Sequence, residues 1–117
     1  MPHQVAQKRL SRSDGARRAL LRSLATSFFK HEKIETTTSK AKEVEKIVDR
    51  LITTARRGDL HSRRQVAAYL LEPAVVKKLC DQIAPALKDR NGGYTRRVKT
   101  RVRHGDAAEL SLLELVR

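Results

Sequence analysis

A polyphosphate backbone is matched by a protein segment that places guanidinium and ammonium groups at short intervals with no carboxylate among them. The stretch RNGGYTRRVKTRVRH, residues 90–104, carries six Lys/Arg and no Asp or Glu. In an extended strand, successive side chains point to opposite faces. Tyr94, Arg96, Val98, Thr100 and Val102 then share one face, and Thr95, Arg97, Lys99, Arg101 and Arg103 the other. Like charges side by side repel, so the nearly all-cationic second face predicts an anion lying against it. The chemistry expected is phosphate neutralisation by Arg96, Arg97, Lys99, Arg101 and Arg103, with Arg90 and Thr95 in the same segment. Gly92-Gly93 has two readings, a turn or a gap where backbone N–H groups approach a phosphate. Tyr94 also has two, a packing residue or a ring stacked on a base.

A second basic concentration opens the chain, where residues 1–22 carry six Lys/Arg against Asp14 alone. His3, Lys8, Arg9 and Arg12 fall in an aperiodic stretch, and Arg17, Arg18 and Arg22 crowd the start of a helix. Cations there oppose the helix macrodipole by a few tenths of a kcal/mol each, up to ~1. A bound phosphate would reverse that sign, because free N–H groups and guanidinium groups would converge on it. Lys40 and Lys42, and Arg63 and Arg64, open later helices and invite the same reading. Arg56 and Arg57 end a helix, where cations are stabilising without any ligand, so a structural role and a phosphate contact both remain open. Lys46, Lys77 and Lys78 sit in charge-balanced sequence and read as solvated surface. The whole chain has a net charge of +13 and a pI near 10.7. Most of that charge lies in the two basic regions, which makes polyanions the natural partners.

Other chemistries lack apparatus. Cys80 is the one cysteine and lies on an apolar helical face, as a core residue would. His3, His31, His61 and His104 are scattered, which predicts no metal site. There is no phosphate-cradling glycine motif and no nucleophile–base pairing, so neither enzyme activity nor a cofactor or small-molecule substrate is expected. No apolar run approaches the roughly 20 residues of a membrane span, and the N-terminus has no signal-peptide core. The cytoplasm is the expected compartment, with no membrane partner. Four aromatic residues, Phe28, Phe29, Tyr69 and Tyr94, are too few for a platform that stacks successive bases.

The elements that must position these cations follow from periodicity. Residues 1–12 read as an extended arm and 13–117 as a single domain. Ser13 or Asp14 caps a helix to about Lys30, with Leu21, Leu24, Ala25 and Phe28 inward and Phe29 off that line. Ile34, Thr36 and Thr38 suit a short strand. Ser39 then caps a helix with Ala41, Val44, Val48, Leu51, Ile52 and Ala55 inward, stopped by Gly58. Asp59 caps a third helix to roughly Leu71, and Pro73 opens a fourth that Pro85 and the polar KDRNGG stretch end. The basic strand follows, and the turn His104-Gly105-Asp106 makes AELSLLELV its hairpin partner, although its Leu/Glu composition would also suit a helix. The order α-β-α-α-α-β-β gives an α+β fold, with helices packed on one face of a small sheet.

Three stretches in this order, ALLRSLATSFFKHEKIETTTSKAKE, LITTARRGDLHSRRQ and RNGGYTRR, resemble the bacterial large-subunit ribosomal protein family numbered seventeen. The resemblance runs from about Lys8 to Val116. Ile34-x-Thr36-Thr37, Lys40-Ala41-Lys42 and Gly92-Gly93-Tyr94-Thr95-Arg96 are its distinctive parts. It implies a three-stranded mixed sheet covered by helices. It also implies large-subunit ribosomal RNA and neighbouring ribosomal proteins as partners, a place near the polypeptide exit, and a monomer within the ribosome. Two departures stand out. Pro2, Gln4, Val5 and Gln7 thin the family's basic arm, and Arg97 stands where the family usually has an apolar residue. The rival reading is a DNA-binding module in which the helices between Asp59 and Ile83 form a helix-turn-helix. On the RNA reading, reversing Arg96, Arg97 and Lys99 to Glu is expected to weaken RNA association while leaving thermal unfolding nearly unchanged.

Overall fold

The computed structural model describes Leu10 and residues 13–116; His3, Lys8, Arg9 and Arg12 lie outside the described residues. The elements run α1 Asp14–His31, β1 Lys33–Thr37, α2 Thr38–Ala55, α3 Leu60–Tyr69, α4 Pro73–Lys78, β2 Thr95–Val102 and β3 Glu109–Leu115. This is the expected α-β-α-α-α-β-β order of an α+β fold. The strands lie in the order β1-β3-β2. Both pairings are antiparallel, so the sheet is antiparallel throughout rather than mixed. A short connection can join β2 to β3 only in that sense, and Arg103 N–H donates to the Ala108 carbonyl (2.8 Å) to close it.

The Ser13 hydroxyl caps α1 by accepting from the Ala16 N–H (3.4 Å), and Glu32 leaves the helix in the left-handed region (φ 63°). Leu21, Ala25 and Phe28 are buried as the periodicity required. Phe29 is buried too, at 0% exposure, edge-on to Phe28 with ring centroids 5.4 Å apart. Its position off the helix's centre line is covered because α1 packs against α2, α4 and β1 at once. The inward face of α2 is the predicted one, and α2 touches all three strands. Its start differs from expectation. The helix begins at Thr38 rather than after Ser39, and Thr37 in the cap position makes no side-chain bond. The Thr38 and Ser111 hydroxyls lie 2.7 Å apart, tying the helix start to β3.

Gly58 takes the left-handed conformation (φ 75°) but three residues beyond the end of α2, in a turn closed by Gly58 N–H to the Ala55 carbonyl. Asp59 caps α3 as predicted, its carboxylate accepting from the Ser62 N–H (2.7 Å), and α3 stops at Tyr69, short of Leu71. The fourth helical stretch ends as expected at Pro85 and the KDRNGG stretch, its last residue being Ala86. The chain continues from α4 through a wider π-helical turn, Leu79–Ile83, into a last turn at Ala84–Ala86. A proline ring in an ordinary α-helix meets the carbonyl four residues earlier. Here the Ala84 N–H reaches back to the Leu79 carbonyl, and this five-residue step loosens the helix just ahead of the ring.

The core gathers Leu21, Phe28, Val48, Ile52, Leu79 and Ile83 between the helices, with Leu113 as the main contribution of the sheet. Among the described residues no helix is long and apolar enough to cross a membrane, and no group of three or more His, Cys, Asp or Glu could hold a metal ion.

Candidate RNA interface

The basic strand is arranged differently from its simple alternation. β2 pairs with β3 so that Arg96 lies opposite Glu114, Val98 opposite Leu112 and Lys99 opposite Ser111; the register then shifts, and Arg101 faces Leu110. The extra residue between Lys99 and Arg101 is a β-bulge, and past it the side chains change faces. Arg96, Val98 and Arg101 therefore share the face of Glu114, Leu112 and Leu110. Arg97, Lys99 and Val102 share the opposite face, toward α2, with Ser111 and Leu113. The cations are divided between two faces of an edge strand instead of gathered on one.

Nor does their repulsion need an external anion. Arg96 donates through Nε to Glu114 Oε1 (2.8 Å) and also through Nη2. Arg97 donates to Glu45 of α2 (2.5 Å), and Lys99 lies 3.5 Å from Glu109. Arg101 reaches Glu35 of β1 (3.3 Å) across β3, and Arg103 grips Asp106 with two donors (3.1 and 2.7 Å). Every cation of the strand meets a carboxylate delivered by β1, α2, β3 or the hairpin turn. The Thr100 hydroxyl and Arg101 together hold the Glu35 carboxyl below its usual range. The Arg103 pair and the Ala108 N–H hold Asp106 at about 2. These pairs are mostly solvent-exposed, each worth only about 0–1 kcal/mol.

One face-sharing consequence concerns Asp49. Burial pushes its carboxyl up, the neighbouring Glu45 charge adds to that, and a hydrogen bond from Thr95 opposes it. Asp49 Oδ1 is buried without a hydrogen-bond partner. The Thr95 hydroxyl also lies 3.3 Å from a Glu45 carboxylate oxygen, so its single proton is shared between the two carboxyls. Arg97 and Thr95 are thus fold contacts of α2, so reversing Arg97 to Glu would set two carboxylates together and unfolding would not stay unchanged.

Tyr94 is the largest fully buried side chain, 1% exposed, which removes the base-stacking reading of its ring. Arg56 explains its burial. The guanidinium donates from Nη1 to Tyr94 Oη (2.5 Å) and from Nη2 to the Lys88 carbonyl (2.6 Å), and its carbon lies 5.6 Å from the ring centroid. Arg56 is therefore a clamp on the segment that leads into β2. Arg22 behaves similarly: it donates to the Tyr69 and Ala68 carbonyls (2.8 and 3.3 Å), satisfying free acceptors at the end of α3. Arg63 pairs with Asp81 (2.9 Å), holding α3 to the π turn after α4. Gly93 has φ 62° with open space where a Cβ would stand, so the turn reading accounts for it. Arg90 is exposed and reaches only the Gly93 carbonyl, at 3.5 Å.

Lys78, expected as plain surface, bridges the end of α1 by donating to the Lys30 carbonyl (2.8 Å) and pairing with Glu32 (3.3 Å). Arg18, Lys42 and Arg64 are exposed and Lys40 half-exposed, and none has a carboxylate ion pair among the described residues; Arg57 is exposed, and with the hydrogen bonds from Ser62 its charge helps to hold the Asp59 carboxyl below its ordinary range. Arg17 is half-exposed at the start of α1. Lys40 and Lys42 stand in the opening turns of α2, which carries no acid in its first turn and no side-chain cap. Arg50, exposed on α2, was not singled out by its sequence context. The helix-turn-helix alternative would need a basic outer face on α4. Across α4 and the π turn that follows it, Val75, Val76, Leu79 and Ile83 are buried, leaving Ala74, Lys77, Asp81 and Gln82 outward.

A sequence profile described as ribosomal protein L17 matches residues 20–116. The chain belongs to the ribosomal protein L17 family. Among the most similar relatives, the large ribosomal subunit protein bL17 of Caldanaerobacter subterraneus subsp. tengcongensis is 53% identical over 112 residues, covering 96% of this chain and 100% of that protein. The bL17 proteins of Clostridium acetobutylicum and Symbiobacterium thermophilum are each 54% identical over 109 residues, 93% of this chain and 96% of theirs. The L17 family match begins inside α1, so the thinned basic arm lies outside it.

Proposed function

We propose that the chain is a structural constituent of the large ribosomal subunit that binds and stabilises folded ribosomal RNA near the polypeptide exit. It works in the cytoplasm, as a monomer among neighbouring ribosomal proteins, and carries no catalytic activity. The relatives' assignment to the large ribosomal subunit supports the same for this chain, and the place near the exit is carried by the family resemblance alone.

The observation that supports RNA binding best is the start of α2. Two lysines there oppose the helix dipole, no acid or side-chain cap offsets them, and the free backbone N–H groups point the same way. A phosphate at that end accepts from the N–H groups and neutralises the ammonium groups together. Arg18 and Arg64 also lie near the starts of α1 and α3, although those helices, unlike α2, carry side-chain caps from Ser13 and Asp59. The β2 cations act by exchange. Their carboxylate partners hold the side chains in place at little energy, and a phosphate can displace an exposed carboxylate because charge-assisted bonds to it are at least as strong. Contacts of this kind set affinity and orientation more than sequence preference.

Sedimentation of a lysate through a sucrose gradient tests the assignment. Stoichiometric co-migration with the large subunit after a moderate salt wash is the expected result, and absence from the ribosomal fractions would overturn it.

A further inference from the structure

Between the start of α1 and the middle of α2 lies a cleft of about 500 Å³, within the roughly 300–1,000 Å³ range of small-ligand sites. Its floor is apolar, formed by Leu21, Ile47 and Leu51, and the Tyr69 ring contributes a wall. Its rim is cationic, with Arg17 and Arg18 from α1 and Arg50 from α2. The one lining acid, Glu43, is almost fully buried and pairs with Lys46 (2.8 Å), while Arg18 and Arg50 stand exposed on the rim. Tyr69 is half-buried and backed by Arg22, whose guanidinium carbon lies 5.8 Å from the ring centroid. Burial raises the Tyr69 hydroxyl above its ordinary range, while the charges of Arg22, Arg17 and Arg50 pull it back down, a sign of how closely these groups converge.

A free phosphate has no use for an apolar floor, and an apolar side chain has none for guanidinium groups. An unstacked nucleotide uses both, its base on the ring and floor and its phosphate on the rim. Resting on the RNA-binding reading, we propose that this cleft receives one unstacked nucleotide of ribosomal RNA, with Tyr69 as the stacking surface and Arg18 and Arg50 as the phosphate contacts.

Ultraviolet irradiation of intact large subunits, followed by mass spectrometry of the peptides of this chain, tests the proposal. A nucleotide adduct on the peptide carrying Tyr69 is expected. Ile47→Trp, which fills the cleft without changing charge, should abolish that adduct and weaken ribosomal RNA binding about 5- to 150-fold, the effect of losing one stacked base. Tyr69→Phe should retain both. Adducts confined to residues 90–104, or a protein rather than a nucleotide joined to Tyr69, would overturn the cleft assignment while leaving the RNA reading intact. The adduct on the unaltered chain decides the matter even where Ile47→Trp fails to fold. Failure of the chain to associate with large subunits at all would refute the broader reading instead.

Discussion

Removing the Arg56 guanidinium should destabilise the fold without removing a direct RNA contact. Arg56→Ala breaks the bond to the buried Tyr94 hydroxyl (2.5 Å), the bond to the Lys88 carbonyl (2.6 Å), and the contact with the Tyr94 ring face. A hydrogen bond from a charged donor to a buried group contributes about 1.5–3 kcal/mol. The Lys88 carbonyl can turn to water, so its bond adds only about 0.5 kcal/mol, and the ring contact adds about 0.5–1 kcal/mol. Against these, Arg56 Nε is buried without a partner, and its removal returns roughly 1 kcal/mol. The net loss is about 2–3 kcal/mol. For a domain of this size that lowers Tm by about 8–12 °C. Circular dichroism melting of Arg56→Ala, Tyr94→Phe and the double variant measures it, since groups in contact give a non-additive cycle. A Tm within about 2 °C of the unaltered chain, or strict additivity of the two changes, would refute the clamp.

Three further outcomes follow from the geometry. Asp49 has a raised carboxyl, so the fold favours its neutral form; its contribution is present at low pH and is lost as pH rises through the folded value. Asp49→Asn should therefore raise Tm at neutral pH by a few degrees, about 1 kcal/mol, with the gain vanishing in acid, and a gain that persists in acid would contradict this. Gly93→Ala should cost about 1 kcal/mol through its left-handed φ alone, because no neighbour stands within 4 Å of the added Cβ; a much larger loss in denaturant melts would mean a steric clash instead. Asp106, held at about 2, supports the hairpin above its ordinary range and loses that support as pH falls through the folded value. Carbon-detected titration of Asp106 in Arg103→Gln should show the carboxyl returning toward its normal value, and no movement would discount the pair.

How much of this was legible in the sequence depends on the range of the interaction. Helix faces were readable because the burial period is local: Val44, Val48, Leu51 and Ile52 announce their common side by spacing. The hairpin was readable as well, and folding the segment about Gly105 already sets Arg96 opposite Glu114. The bulge was not readable, since one unpaired residue leaves no mark on composition, and with it went the faces of Arg101 and Val102. Glu35 and Glu45 come to β2 from β1 and α2, more than fifty residues away in the chain. Local charge counting therefore read β2 as uncompensated. Arg22 and Arg56 were indistinguishable from surface arginines because their acceptors, the carbonyls of Tyr69 and Lys88, are backbone groups that every residue type carries.

The central claim is that cations without a carboxylate partner, at the starts of α1, α2 and α3, neutralise ribosomal RNA phosphates. Equilibrium binding of the full chain to large-subunit ribosomal RNA across a salt series tests it most directly, comparing the unaltered chain with a variant carrying Arg18→Gln, Lys40→Gln, Lys42→Gln and Arg64→Gln. If some six to ten phosphates are contacted, affinity of the unaltered chain should fall by roughly 10³–10⁵ between about 50 and 200 mM salt. The variant should bind more weakly, with a logarithmic salt slope shallower by about 3–4, and its Tm should be slightly raised rather than lowered, since cations that oppose the helix dipoles are removed. Equal affinity and equal slope for the two chains would contradict the claim.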